Sequence, residues 1–130
     1  MKYLLDTDIA GYIIKGNRLK QAPSFELLDT LAVSSITAME LQFGVLIPEA
    51  PTKYFALVAR YLDRIEVAPF DDLAANRAAL VRSHLHKIGR PSGSYDTLIA
   101  GHALALGAVL VTNNTRHFEN VPGLQLTNWT

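Results

Sequence analysis

A chain of 130 residues with 49% hydrophobic and 18% charged residues has the size and composition of one folded domain. We therefore predict a single domain over residues 1–130, whose binding partners come from other chains. The formal net charge is zero, which argues against a protein that holds nucleic acid by an overall positive field, so any nucleic-acid site must be local. The absence of cysteine excludes disulfides, thiolate metal sites and a cysteine nucleophile.

The sequence also predicts a location. Asp6 comes too early in the chain to leave room for the apolar segment of a secretory signal. The most apolar stretch, residues 98–111, is short for a bilayer span and contains His102 and Gly107. The absence of cysteine fits a reducing compartment. We expect a cytoplasmic protein with no membrane partner.

Strands alternate with helices along the chain, as the spacing of apolar residues indicates. Ser24, Thr37 and either Asp71 or Asp72 stand where helix N-caps are expected, and Gly107 stands where a helix ends. In chain order the pattern predicts a strand at 2–5, helices at 9–14 and 23–31, a strand at 32–35, helices at 37–47 and 52–63, a strand at 65–68, helices at 72–88 and 95–106, a strand at 108–111 and an edge strand at 124–126. This order predicts a three-layer α/β domain with a mainly parallel sheet.

Acidic and amide side chains fall where such a sheet builds its ligand sites, beyond the carboxyl ends of the strands. Asp6 and Asp8 follow the first strand, and Glu40 lies just after the second. Asp96 begins a helix, and residues 113–114, both asparagine, follow the strand at 108–111. Converging carboxylates repel one another unless a cation lies between them. Oxygen ligands without cysteine indicate magnesium or manganese rather than zinc.

A purely structural interpretation of these acids stays open. Residues 37–40 have the spacing of a capping box, in which Glu40 would only satisfy a backbone donor. Asp6, Asp8 and Asp96 stand where an acid favours a helix N-terminus. Capping alone does not explain why the acids fall at one edge of the predicted sheet.

Four sequence blocks resemble the signature blocks of VapC-type PIN domains, in that family's order. They are residues 3–8, 34–41, 89–103 and 111–118. The ending, residues 121–124 with Trp129, is also similar to that family. The resemblance covers essentially the whole chain. It implies a single PIN domain over residues 1–130, with a three-layer α/β fold in which helices flank a mainly parallel central sheet.

The resemblance also implies an activity, that of a metal-dependent endoribonuclease, the toxin of a type II toxin–antitoxin system. Asp6, Glu40 and Asp96 match the three central metal-binding acids of the family, which are also the catalytic set, and Asn114 is a further metal ligand. The cofactor implied is Mg²⁺ or Mn²⁺. One or two ions would polarise the scissile phosphate and generate a hydroxide for in-line attack, leaving a 5′-phosphate and a 3′-hydroxyl.

The chain departs from the family pattern at two positions. Asn114 stands where many members have an acid, and it offers a carbonyl oxygen without a charge. Asp8 replaces an asparagine that is common after the first acid. Asp8 has two interpretations, a charge that replaces the missing one or a cap of the first helix, and the cap is favoured.

Further residues are candidates for supporting roles. Candidates to orient ligands or water are Thr7, Asp8, Thr112 and Asn113. Candidates to bind the RNA backbone are Arg90, Arg116, Lys15 and Lys87, each of which is otherwise an ordinary surface charge. His102 is predicted to be a buried structural histidine rather than a ligand or base.

The resemblance implies three kinds of partner. The substrate is RNA, with tRNA or another structured RNA as candidates. A VapB-type antitoxin would block the acidic site, and a second copy would form a homodimer. The predicted helices at 37–47 and 52–63 carry more apolar surface than one sheet face needs, which fits such interfaces.

The sequence is compatible with two other functions. Asp6-Thr7-Asp8 and residues 111–113 also resemble motifs of haloacid-dehalogenase-like phosphatases, but no lysine follows Lys87 and only Glu119 is acidic after Asn114. A further hypothesis is a catalytically weak PIN-fold binding module that has lost metal binding through Asn114. A magnesium or manganese titration would identify a pure binding module by the lack of any stabilisation.

Overall fold

A computed structural model describes residues 1–20, 25–91 and 94–130, with side chains described outside residues 25–27. The elements in chain order are β1 (Tyr3–Leu5), α1 (Thr7–Lys15), a 3₁₀ helix (Phe25–Thr30), β2 (Leu31–Ser34), α2 (Ser35–Leu46), α3 (Lys53–Arg64), β3 (Glu66–Ala68), α4 (Asp72–Lys87), α5 (Tyr95–Leu106), β4 (Val109–Val111), α6 (Thr115–Phe118) and β5 (Leu126–Thr127). The alternation of strands and helices predicted from the sequence is confirmed.

The described strands form one parallel sheet in the order β3-β2-β1-β4-β5. Where the sequence predicted a mainly parallel sheet, every pair in it is parallel. β1 lies at the centre, with Tyr3 opposite Leu31 of β2 on one side and opposite Val109 of β4 on the other. The chain therefore changes direction across the sheet between β1 and β4. Ligands of open α/β sheets bind at such a switch point, beyond the carboxyl ends of the strands.

Helices cover both faces of the sheet and produce two cores. Because successive strand residues point to opposite faces, Leu4 and Leu110 pack towards α4 and α5, where Ile99 and Leu85 are also fully buried. Leu5 packs with the other core, which holds Ile9 of α1 and partly buried side chains of α3. These are the three layers that the sequence predicted.

α4 and α5 lie against each other at a point where α5 has no side chain. A Cβ atom at Gly101 would lie 2.3 Å from the Cα of Ala78 and 2.4 Å from its backbone nitrogen. Only glycine permits this approach. The contact fixes α5, and with it the first turn of α5, against the rest of the molecule.

The predicted N-cap of α2 is wrong. α2 begins after Ser34, whose hydroxyl accepts from the N–H of Ile36 at 3.1 Å. Thr37 is buried within the first turn and is not a cap, so the capping box with Glu40 does not form. The reason is that the helix begins directly where β2 ends, two residues before the predicted start.

The first helix is capped by Asp6, whose Oδ1 accepts from the N–H of Ile9 at 2.9 Å. Asp8 was the favoured cap, but it lies exposed inside the first turn. Its carboxylate is therefore left for another role. Asp71, by contrast, caps α4 through Ala74, as one of the two predicted alternatives.

Two further elements differ from the prediction. The helix expected from residue 23, with Ser24 as its cap, falls partly on residues 21–24, which lie outside the described residues. The part that is described, Phe25–Thr30, is a 3₁₀ helix. α6, with four residues, was not predicted because one helical turn shows no periodicity. Among the described residues no helix combines the length and apolar character needed to cross a bilayer.

His102 is buried and structural, as predicted. Its Nδ1 lies 2.8 Å from the Oγ of Ser34, and its ring also bonds to the backbone of Pro69. A carbonyl only accepts, so the ring nitrogen facing Pro69 carries the proton and the Ser34 hydroxyl donates to Nδ1. Phe70 packs edge-on against the ring at 5.4 Å between centroids. The neutral ring thus connects α5, the end of β2 and the residues before α4.

Lowering the pH should weaken the contacts that the His102 ring makes. Burial lowers the pKa of His102 below its ordinary value of 6.5, although the nearby Asp71 acts in the opposite direction. The folded state favours the neutral ring, so its contribution to stability is present above pH 6.5 and is lost as pH falls through the folded pKa. We expect the stability difference between the parent and His102→Gln, measured by urea unfolding, to shrink as the pH is lowered from 7.5 to about 5.

The control for this prediction is His86→Gln, which removes a histidine at an exposed position of α4. At pH 7.5 its difference from the parent should be much smaller than that of His102→Gln. A parent–His102→Gln difference that stays constant across the same pH range would contradict the prediction.

Candidate active site

Asp6 lies at the switch point of the sheet, where β1 ends. Its N–H donates to the carbonyl of Val111 at 3.0 Å, which joins the ends of β1 and β4. Only 4% of the residue is exposed. Its carboxylate accepts from the N–H of Ile9 and from the hydroxyl of Thr112, a buried residue just after β4. Two neighbouring elements therefore fix the orientation of this acid.

The environment of Asp6 disfavours its charged form. Burial raises its pKa to about 6, and the charges of Asp96 and Asp8 act in the same direction. The hydrogen bonds from Thr112 and Ile9 lower the pKa but do not offset burial. A carboxyl group held in this way gains a strong preference for a positive partner.

Asp96 lies in the first turn of α5, and it is half-buried. Burial raises its pKa, and the charge of Asp8 raises it further, whereas His117 lowers it. Asp8 thus acts on both Asp6 and Asp96. We call Asp6, Asp8 and Asp96 the acid cluster.

Glu40 reaches the same edge of the sheet from α2 but has a different partner. Its Oε1 accepts from the hydroxyl of Thr7 at 2.6 Å. The Oγ1 of Thr7 also lies 3.2 Å from that of Thr37. Thr7 therefore connects the first turn of α1 to α2 and holds the carboxylate of Glu40.

The two asparagines after β4 have separate contacts. Asn113 donates through Nδ2 to the hydroxyl of Tyr12 at 3.3 Å. Asn114 precedes α6, and its N–H donates to Oγ1 of Thr112 at 3.0 Å, while its side chain makes no capping bond. The amide of Asn114 is exposed beside Thr112, the residue that contacts Asp6. Its carbonyl oxygen is therefore available to a ligand.

The four basic candidates lie at different places in the structure. Arg90 donates through Nη1 to the carbonyl of Arg116 at 3.2 Å, so these two lie together beside α6. Lys15 lies at the end of α1, where its Nζ stands 5.3 Å from the ring centroid of Tyr54. Lys87 is exposed in the last turn of α4.

The donor chemistry of the acid cluster fits a hard divalent cation. Carboxylate oxygens are its ligands. Burial, together with the charge of Asp8, raises the pKa of both Asp6 and Asp96, so a cation beside them would stabilise their charged forms. Across residues 1–20, 25–91 and 94–130, no group of three or more His, Asp or Glu side chains is close enough to hold a metal ion by itself.

Comparison with known proteins identifies the family of this chain. A family model described as "PIN domain" matches residues 3–124. The tRNA(fMet)-specific endonuclease VapC of Shigella flexneri is 38% identical over 130 residues, which cover 99% of this chain and 98% of that protein. The chain belongs to the VapC family of PIN domains.

Solved structures of VapC-containing complexes have the same fold. DNA-bound VapBC from Salmonella typhimurium matches with a TM-score of 0.85 and 38% identity, over 100% of this PIN domain and 99% of that chain. VapBC2 from Rickettsia felis, bound to a promoter DNA fragment, matches with a TM-score of 0.86 and 34% identity over 100% of both chains. The predicted family is confirmed, and the haloacid-dehalogenase alternative is set aside.

Sequence reasoning missed two features of the site in this PIN domain. Asp8 was interpreted mainly as a cap, but it is the acid whose charge acts on both Asp6 and Asp96. His117 was not among the candidate residues, but its charge acts on Asp96. A signal for Asp8 was present: two acids separated by one residue at a helix start cannot both be the N-cap.

Proposed function

We propose that this chain is a metal-dependent endoribonuclease and the toxin of a toxin–antitoxin pair. The observation that carries the proposal is the acid cluster at the switch point of a PIN-domain sheet. Asp6 is buried there with a pKa of about 6, and Asp8 and Asp96 raise it. Asp6 also caps α1, but capping does not account for Asp8 and Asp96 beside it, and a fold that holds repelling carboxylates together is typical of a cation site.

Four residues would hold the metal ion in the proposed mechanism. Asp6, Glu40 and Asp96 would hold Mg²⁺ or Mn²⁺, with Asn114 as a neutral fourth ligand. The chemistry that the ion supplies when bound is polarisation of the scissile phosphate and activation of water. Thr112 keeps the Asp6 carboxylate facing the site, and Thr7 does the same for Glu40. Arg90 and Arg116 would hold the RNA backbone next to α6.

The activity can be tested without knowing the substrate. The full-length protein is incubated with total cellular RNA, with and without manganese, and new 5′-phosphate ends are mapped. We expect metal-dependent cleavage at a few sites, with tRNA among the candidates, and no cleavage by Asp96→Asn. Equal cleavage by a well-folded Asp96→Asn protein would remove Asp96 from the catalytic set. The absence both of cleavage and of any stabilisation by metal would favour a binding module.

Asn114→Asp should tighten manganese binding about tenfold, because a carboxylate attracts a divalent ion more strongly than an amide does. Isothermal titration calorimetry measures the change. Asn76→Asp adds the same charge at an exposed position of α4 and should leave the affinity unchanged. Unchanged or weaker binding by the Asn114→Asp protein would place Asn114 outside the ligand set.

We propose that the partners cover an apolar patch on α2 and α3. Among its members, Phe43 is 62% exposed and Leu46 is 70% exposed; the others are Met39, Ile47 and Phe55. A second copy would form a homodimer there, and a VapB-type antitoxin would bind beside it and block the acids. Replacing both Phe43 and Leu46 with serine should weaken self-association in sedimentation and reduce co-purification with antitoxin. The same change at Leu73 and Leu80, exposed on α4, is the control, and equal loss in both variants would contradict the assignment.

A further inference from the structure

A pair of polar side chains lies buried between α5 and the start of α2. His102 is 1% exposed, and Ser34 is fully buried. The Ser34 hydroxyl donates to Nδ1 of His102 at 2.8 Å, and it accepts from the N–H of Ile36 at 3.1 Å. The hydroxyl therefore uses its only proton and one of its lone pairs in fixed directions.

The residues before α4 hold the same pair from another side. The His102 ring bonds to the backbone of Pro69 and packs edge-on against Phe70. The N–H of Phe70 donates to Oγ of Ser35, the first residue of α2, at 2.9 Å. The ring therefore cannot turn without losing hydrogen bonds on two sides. A buried network whose members are hydrogen-bonded rigidifies the elements that it joins and fixes one arrangement of them.

Each of the two helices that this bond joins carries a proposed metal ligand. Asp96 precedes His102 by six residues in α5, and Glu40 follows Ser34 by six residues in α2. At about 1.5 Å per helical residue, each acid lies about 9 Å along its helix from the bond. A slide or tilt of either helix at the bond therefore moves one acid relative to the other.

Stability alone does not account for a polar pair at this place. Burying a hydroxyl and an imidazole costs desolvation energy, and apolar side chains of the same shape at both positions can be nearly as stable or more stable. Hydrogen bonds add direction, because their energy falls steeply when donor and acceptor move out of line. The pair is therefore better suited to fix the relative placement of α2 and α5 than to stabilise the fold.

We propose that His102 is a positioning residue, which through Ser34 sets the separation of Glu40 and Asp96 and thereby the affinity of the site for its divalent ion. The inference rests on the proposed function. Because His102 is buried, it acts only through the two helices and contacts neither ion nor RNA. Removing a hydrogen-bonded group that supports metal ligands typically lowers metal affinity by about 10- to 100-fold. The lower value is expected here, because the support is indirect.

Calorimetric titration of the full-length protein with manganese at pH 7.5 tests the proposal. His102→Leu removes the acceptor of the Ser34 hydroxyl. His102→Asn returns one, because Oδ1 of asparagine, like Nδ1 of histidine, is bonded to Cγ. We expect His102→Leu and Ser34→Ala each to bind manganese about tenfold more weakly than the parent, and His102→Asn to recover much of that loss. The double variant should bind no more weakly than either single one, since both remove the same bond.

Leu31→Ala is the matched control for lost stability. Leu31 is 2% exposed, begins β2 at the end away from Ser34, and packs in the other core. Its truncation should lower the unfolding temperature in chelator at least as much as His102→Leu does, and should leave manganese affinity unchanged while the protein is folded. Parental affinity in His102→Leu, or an equal loss of affinity in Leu31→Ala, would overturn the proposal.

Hydrogen exchange in chelator follows the two helices without metal and without activity. We expect His102→Leu to exchange faster than the parent in the peptides that carry Glu40 and Asp96, and at the parental rate in α3. If His102→Leu does not fold, Ser34→Ala gives the same comparison. Its informative peptide is the start of α5, because the lost cap by itself loosens the start of α2. Parental exchange at the start of α5 in the folded variant would contradict the positioning role.

These outcomes separate the positioning role from the activity. If the parent binds manganese and cleaves RNA, and His102→Leu binds manganese equally well, the positioning role fails and the ribonuclease stands. If the parent neither binds manganese nor cleaves RNA, the proposed function fails. Faster exchange at both helix starts in His102→Leu would then still show that the buried pair holds Glu40 and Asp96 in place.

Discussion

Asp6→Asn should make the metal-free protein about 3 kcal/mol more stable at pH 7.5 and should reduce RNA cleavage by more than about a hundredfold. The gain arises because the fold buries a carboxyl group whose pKa it raises from 3.8 to about 6. Asparagine has nearly the same shape, remains uncharged and is itself a good N-cap. The loss of cleavage follows from the removal of a proposed metal ligand.

The raised pKa of Asp6 determines how the stability difference between Asp6→Asn and the parent changes with pH. The folded protein holds a proton on Asp6 between pH 3.8 and about 6, where the unfolded chain has released it. The stabilising contribution of the protonated group is therefore complete below pH 3.8 and is lost as the pH rises through about 6. The advantage of Asp6→Asn over the parent should grow across this window and stay constant above it.

Urea unfolding in chelator at a series of pH values measures this advantage. Asp63→Asn, at an exposed position of α3, is the control and should change little. Added manganese should stabilise the parent much more than the variant, because the metal binds the charged carboxylate. A variant that is less stable than the parent in chelator, with an undiminished response to metal, would show that Asp6 is a structural cap only.

Gly101→Ala should destabilise the protein by about 2 to 4 kcal/mol, near the upper end of what one added carbon does in a packed interior. The new Cβ would lie 2.3 Å from the Cα of Ala78, which is backbone and cannot turn aside. α5 must therefore move away from α4. Since α5 carries Asp96, the variant should also bind manganese more weakly than its loss of stability alone explains.

Gly44→Ala is the matched control for this prediction, because it adds the same atom to a helix where nothing lies within 4 Å. It should stabilise the protein by about 0.5 to 1 kcal/mol through helix propensity. Thermal and urea unfolding of both variants, with calorimetric manganese titration, give the comparison. Equal stability of the two variants would show that α4 and α5 separate without penalty.

Much of the fold was predictable because its signals are local. The apolar runs that became β1, β2 and β4 stand out against the helical spacing around them. α5 matched its predicted bounds, since Gly107 ends it in a left-handed conformation. The start of α2 was misplaced because both Ser34 and Thr37 are acceptable caps, and the tertiary position of β2 decides between them. Such a choice depends on partners that are distant in the chain.

The site was predictable in its location but not in its internal arrangement. Parallel strands bring their carboxyl ends to one edge, and a helix that leads into such a strand begins at that same edge, so the convergence of Asp6 with Asp96 of α5 followed from topology. Which acid interacts with which depends on side-chain distances, and the sequence holds no direct signal for the bond between Glu40 and Thr7. The strong burial of Asp6 was likewise invisible, because it depends on Thr112 and the end of β4.

The central position of β1 has a consequence for biosynthesis. β1 pairs with β4, so the centre of the sheet cannot form until Val109, the partner of Tyr3, has been synthesised. Contacts so distant in sequence make folding slow and late. At about 5 to 20 residues per second, the ribosome needs about 5 to 20 seconds to reach β4. Until then Asp6 has neither Thr112 nor the edge of β4 beside it, so an incomplete nascent chain carries no assembled site.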